Sequence, residues 1–77
     1  PLRERRGDIV LLAKYFIRTV SERIGRTDIM RLSPEAKELL QKMEWHGNVR
    51  ELQNLIECIV QLYPDDIITA KQIRDNA

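Results

Sequence analysis

A small all-α bundle is the fold this sequence predicts, and three features predict it. Apolar residues recur at three- and four-residue intervals, capping residues stand at the starts of the periodic runs, and nowhere does alternation persist over a strand length. The expected architecture is three main helices and a short C-terminal helix. Asp8 is placed to cap the first helix, whose apolar positions Ile9, Leu12, Ala13, Phe16, Ile17, Val20 and Ile24 keep helical spacing until Gly25. Residues 26–31 read as a polar connection. Ser33 followed by Pro34 is an N-cap and first-turn pair, and Ala36, Leu39, Leu40 and Met43 form the buried face of the second helix. Residues 44–47 turn into a third helix over 48–63, with Val49, Leu52, Leu55, Ile56, Ile59, Val60 and Tyr63 on its core stripe. Pro64-Asp65-Asp66 ends it. Thr69 with Gln72 then makes a capping box for the fourth helix, and Ile73 tucks back onto the bundle.

Composition bounds what such a bundle can do. At 77 residues the chain is one domain at most, burying only about 60% of its unfolded surface. A hydrophobic content of 43% and a charged content of 32% suit a globular domain rather than a disordered tail. Thirteen basic and twelve acidic residues leave a net charge of +1, which supplies no general attraction to nucleic acid or to an anionic membrane. Cys58 is the lone cysteine, so no intrachain disulfide forms; with no signal peptide or long apolar span, the expected setting is cytoplasmic. Pro1 is not a natural start, and residues 1–8 read as a connector, so the chain is expected to be a fragment cut at a domain boundary. It holds no Gly-x-x-x-x-Gly-Lys-Ser/Thr loop and no glycine-rich nucleotide turn, and hydrolysis by this piece alone is not expected.

The segment richest in chemistry is Trp45-His46-Gly47-Asn48-Val49-Arg50-Glu51-Leu52. Asn48 is a good N-cap, and Glu51 three residues on completes an Asn-x-x-Glu variant of the capping box. Arg50 falls in the first turn, where the positive end of the helix dipole disfavours a cation unless both serve one anion. By helical geometry Arg50 lies roughly 140° from the centre of the apolar stripe, so it faces outward. The positions three and four residues either side are Gly47, His46, Gln53 and Asn54, so its helix offers it no carboxylate. Phosphate is one reading; an ordinary solvated arginine is the other.

Trp45 to Leu52 resembles the Trp-Pro-Gly-Asn-Val-Arg-Glu-Leu signature of the sigma-54-dependent transcription activators, bacterial enhancer-binding proteins of the AAA+ ATPase class. The similarity extends to Pro1-Leu2-Arg3-Glu4-Arg5-Arg6-x-Asp8-Ile9, to Leu32-Ser33-Pro34-Glu35-Ala36 and to Ile68-Thr69, in order along almost the whole chain. The resemblance implies that residues 1–77 are the helical lid of an AAA+ ATPase domain, entered through a connector from an absent α/β core. It implies that Arg50 is the second sensor, reaching the phosphates of an ATP whose Mg²⁺ the core holds. Ile9, and Leu12 after it, would be apolar neighbours of the base, and Val49 a further nucleotide neighbour. The implied partners are the α/β core of the same chain, neighbouring subunits of a hexameric or heptameric ring, and sigma-54 RNA polymerase; no membrane is involved. His46 departs from the pattern, which most often has proline there, so the turn loses a fixed φ and gains a titratable group.

Two other classes stay open. In a DNA-binding helix-turn-helix the helix from Asn48 would read bases with Asn48, Arg50, Gln53 and Asn54, although Glu51 and Glu57 on that helix oppose phosphate contacts. A helical module for protein contacts would leave Arg50 without a task. Trp45 is expected to clamp the second and third helices, with stacking on adenine as the sharper alternative. Ile9 and Leu12 are equally readable as core. No metal site is expected, because His46 is the lone histidine and no Cys/His cluster of ligand spacing exists. Cys58 lacks a neighbouring base to activate it.

Overall fold

The first helix, α1, runs over Arg6–Ile24 in the computed structural model, which describes residues 6–45 and 49–77. It begins upstream of the expected cap. Asp8 therefore lies inside the first turn, where its carboxylate is near the positive end of the dipole. Gly25 ends α1 with φ +80. The amide of Arg26 donates to Ser21 O at 2.8 Å and that of Gly25 to Glu22 O at 3.3 Å, so two carbonyls of the last turn are satisfied in a Schellman arrangement.

The second helix, α2, is Pro34–Lys42, and Ser33 Oγ accepts from the Ala36 amide at 3.0 Å, as the Ser-Pro pair predicts. Ala36 and Leu40 are buried, with Leu39 and Met43 packed against the core at its margin. The third helix, α3, is Val49–Leu62 and buries Leu52, Leu55, Ile56, Ile59 and Val60. Val49 departs from its expected place on the core stripe: it is 39% exposed, because at the helix's first residue the stripe overhangs the edge of the bundle. The last helix, α4, is Ala70–Asn76. Both halves of its capping box form: Thr69 Oγ1 accepts from the Gln72 amide at 3.1 Å, and the Thr69 amide donates to Gln72 Oε1 at 3.2 Å.

Two short segments correct the expectation of no β structure. Arg31–Leu32 (β1) pairs in parallel with Ile67–Ile68 (β2), Leu32 opposite Ile68. Strands of two residues carry no readable periodicity, yet their effect is large. Each precedes an N-cap, Ser33 for α2 and Thr69 for α4, so the ladder fixes the starts of two helices side by side while burying Leu32 and Ile68.

The core is one cluster, in which Ile9, Ala13, Ile17 and Val20 of α1 meet Leu40 of α2, Leu52, Ile56 and Ile59 of α3 and Ile73 of α4. The principal packing pairs are α1 with α3, α1 with α2, and α4 with both α2 and α3. The all-α class is as predicted. Residues 26–31 are less polar in role than they read: Met30 is buried, and Arg26 is the most connected side chain among the described residues. Its guanidinium donates to Val60 O at 2.9 Å, Tyr63 O at 2.7 Å and Asp65 O at 2.7 Å. These bonds close the C-terminal end of α3, where the dipole favours a cation.

Candidate functional site

Arg50 is the second residue of α3 and is exposed. Among the described residues it has no ion pair and no hydrogen bond. The turn that would shape the rest of the site, His46, Gly47 and Asn48, expected as the N-cap, lies outside the described residues. The start of α3 places the positive end of the helix dipole beside a guanidinium that has no partner among the described residues. That combination suits an anion. Val49, 39% exposed, stands next to it with apolar surface uncommitted to the core.

Ile9 lies elsewhere in character. It is fully buried, so its second reading, as a core residue of α1, is the one that agrees with the structure, and it offers no free surface to a base. Leu12 is half-buried against the same cluster. Trp45 is also core, with 5% of its surface exposed, and its Nε1 donates to Leu40 O at 3.0 Å. The ring thereby gives a donor to a carbonyl at the C-terminal end of α2, and its buried faces leave no surface for stacking on adenine.

A cleft of about 430 Å³ opens beside α3, lined by Met43, Glu44, Trp45, Glu51, Asn54, Leu55, Cys58, Asn76 and Ala77. Its two carboxylates, Glu44 and Glu51, oppose a triphosphate, and Arg50 is not among its walls. Cys58 is exposed in this cleft. No group of three or more His, Cys, Asp or Glu side chains among the described residues is arranged to hold a metal ion. Likewise, no described helix is long and apolar enough to cross a membrane.

The geometry also weighs against a duplex reader. The outward side of α3 presents Arg50 with the exposed Glu51 and the half-buried Glu57, and Glu57 is engaged by Arg23 of α1. A reading face normally carries excess positive charge. The two helices of a helix-turn-helix brace one another directly, whereas α2 and α3 are not a principal packing pair here; α1 and α4 join them.

Comparison with known proteins then settles the family. The family model of the AAA+ ATPase lid domain matches residues 3–77. The chain belongs to the AAA+ ATPase lid domains. This lid is 43% identical over 75 residues to the DNA-binding transcriptional regulator NtrC of Rhizobium meliloti, a match covering 97% of the chain and 15% of that protein. It is 40% identical over 74 residues to the sigma54-dependent transcriptional activator SfnR of Pseudomonas putida, covering 96% of the chain and 20% of the relative. With the transcriptional regulatory protein ZraR of Salmonella typhi it shares 42% identity over 72 residues, 94% of the chain and 16% of the relative. The lid thus spans a fifth or less of these relatives' length.

Trp45 is in the core as expected, but its indole hydrogen bond and the whole role of Arg26 were left unread by the sequence. Each satisfies helix-end carbonyls, Arg26 across at least 34 positions of sequence and Trp45 across five. Only the Trp45 bond lies within the range of a local pattern.

Proposed function

We propose that this lid serves a sigma-54-interacting AAA+ ATPase, in which Arg50 contributes a sensor cation to the nucleotide and the lid's movement helps drive transcription activation. The observation that carries the reading is the unpaired, exposed guanidinium at the start of α3, in a family whose fold the chain shares. The relatives' names, among them a sigma54-dependent transcriptional activator, support the choice of system.

The residues present fit the phosphate end of a nucleotide and not its base. Arg50 would hold the terminal phosphate, with the positive end of the α3 dipole and the exposed side of Val49 beside it. Mg²⁺-ATP, bound chiefly by the α/β core, supplies the phosphoanhydride bond whose cleavage removes that phosphate. Arg50 gives the lid differential affinity for the triphosphate state, which is what a ligand needs in order to shift an equilibrium between lid positions. The α/β core, neighbouring subunits of a hexameric or heptameric ring and sigma-54 RNA polymerase are the proposed partners, in the cytoplasm. The lid by itself is not the enzyme.

The test is steady-state ATP turnover by a protein carrying this lid on its ATPase core, wild type against Arg50→Ala, with helical signal and assembly state matched. Turnover should fall roughly thirty-fold, a loss of about 2 kcal/mol in transition-state stabilisation. Unchanged turnover would remove Arg50 from the phosphates.

A further inference from the structure

The basic side chains of this lid divide into two populations. Arg23, Arg26, Lys42 and Lys71 each have a carboxylate partner, respectively Glu57, Asp28, Glu38 and Asp75. Six others, Lys14, Arg18, Arg31, Lys37, Arg50 and Arg74, have no ion pair and no hydrogen bond among the described residues, and four of these, Lys14, Arg18, Arg31 and Lys37, lie together. These four are not scattered. They surround a single groove of about 300 Å³, whose remaining walls are apolar, Ile29 and Met30 among them, and which no carboxylate lines. It is built by the middle of α1, by β1 and the residues before it, and by α2, so it shares no residue with the start of α3 or with the Trp45 cleft.

A cluster of this kind works against the fold. Lys14 and Arg18 are four residues apart on α1, a spacing at which like charges destabilise a helix. The chain carries a net charge of only +1, so four cations around one opening are a local concentration rather than a reflection of composition. Ile29, in its wall, is 46% exposed. A cationic rim around an apolar floor matches a partner that carries negative charge on either side of one apolar side chain.

We propose that this groove docks an acidic protein segment that inserts one apolar side chain between carboxylates. Charge complementarity fixes the sign of the partner, and the floor fixes its class. A nucleic acid would leave Ile29 and Met30 unused, and the groove has no aromatic side chain on which a base could stack. The inference is independent of Arg50, so failure of the sensor reading leaves it standing.

The test uses the 77-residue chain and a fluorescein-labelled peptide of glutamates flanking a single leucine, read by fluorescence anisotropy at low and moderate salt. Saturable binding is expected, weakening as salt screens the rim. The pair Arg18→Glu with Lys37→Glu should weaken it roughly tenfold or more, while Arg74→Glu, an exposed cation outside the groove, leaves it unchanged. Helical circular dichroism checks each variant; should the reversal disturb folding, Arg18→Gln with Lys37→Gln is measured in its place and is also expected to weaken binding. Replacing the peptide's leucine by serine should abolish saturation. The proposal is overturned if the acidic peptide does not bind, if the groove variants bind as wild type does, if the serine peptide binds equally, or if a DNA duplex binds more tightly at the same salt.

Discussion

Arg26 holds together parts of the chain that are distant in sequence. Its guanidinium spans Val60 O, Tyr63 O and Asp65 O while gripping Asp28 through two bonds, 3.1 Å from Nε and 2.9 Å from a terminal nitrogen. Planar, five-donor geometry is what allows one side chain to do this, and lysine has no equivalent. Arg26→Ala should therefore destabilise the lid by about 2 kcal/mol in urea denaturation, and Arg26→Lys should recover less than half of that. The Arg26 guanidinium, through its hydrogen bonds to the carboxylate, holds Asp28 below the ordinary carboxylate range. A group more acidic in the folded chain than in the unfolded one contributes stability that is complete above its unfolded pKa, near about 4, and is lost as pH falls through the folded value. The Tm difference between wild type and Asp28→Asn should accordingly be present at neutral pH and shrink as the solution is acidified below about 4. A difference that persists unchanged in acid would mean that the Asp28 charge plays no part. None of this was legible in the sequence: residues 26–31 contain polar residues and so read as a connection, and the acceptors of Arg26 lie 34, 37 and 39 positions away. Arg50, by contrast, was legible as outward-facing, because its exposure follows from its angle to an apolar stripe five core residues long.

Element boundaries were read well where a side chain writes them and less well where tertiary contacts do. Ser33-Pro34 and Thr69-x-x-Gln72 start α2 and α4 at the expected positions, since capping is a local bond between residues three apart. Gly25 ends α1 because a left-handed φ of +80 strains any residue with a Cβ. The β1–β2 pairing was missed because it is a contact between two connections, each too short to alternate. It makes α4 an informative element. Seven residues are too few for a stable helix in water, so α4 depends on its cap, on Ile73 in the core, and on bonds to the turn before it: Gln72 Nε2 to Asp65 Oδ2 at 3.0 Å and Asn76 Nδ2 to Tyr63 Oη at 3.0 Å. Thr69→Ala removes the acceptor for the Gln72 amide and should cost about 1 kcal/mol, whereas Thr69→Ser should cost only a few tenths. Amide hydrogen exchange would localise the loss: protection should fall in α4 before it falls in α3, and a uniform fall would contradict a local role for the cap.

At the scale of the whole molecule, the proposed transmission of movement requires the lid to move as one body, and its size makes that demanding. A domain of 77 residues sits near the lower end of the usual stability range, because so much of its surface stays in water. Cohesion here comes from a single cluster reached by every helix, not from separate pairs. α3 is central to it, packing on α1 along its length while carrying Arg50 at its exposed start. Ile56, fully buried midway along α3, tests that arrangement. Ile56→Ala should cost about 3 kcal/mol and lower Tm by roughly 15 °C, with the m-value unchanged, since the transition remains all-or-none. Ile67→Ala, at a position 41% exposed on the ladder, should change stability by under about 0.5 kcal/mol. If the fold is one cooperative body, Ile56→Ala in a protein that also carries the ATPase core should leave turnover near wild type well below its lowered Tm and lose it steeply on approaching that temperature. Arg50→Ala should lower turnover at every temperature alike. Two variants six residues apart on one helix would thus fail in distinguishable ways, one through the integrity of the body and the other through the charge it presents.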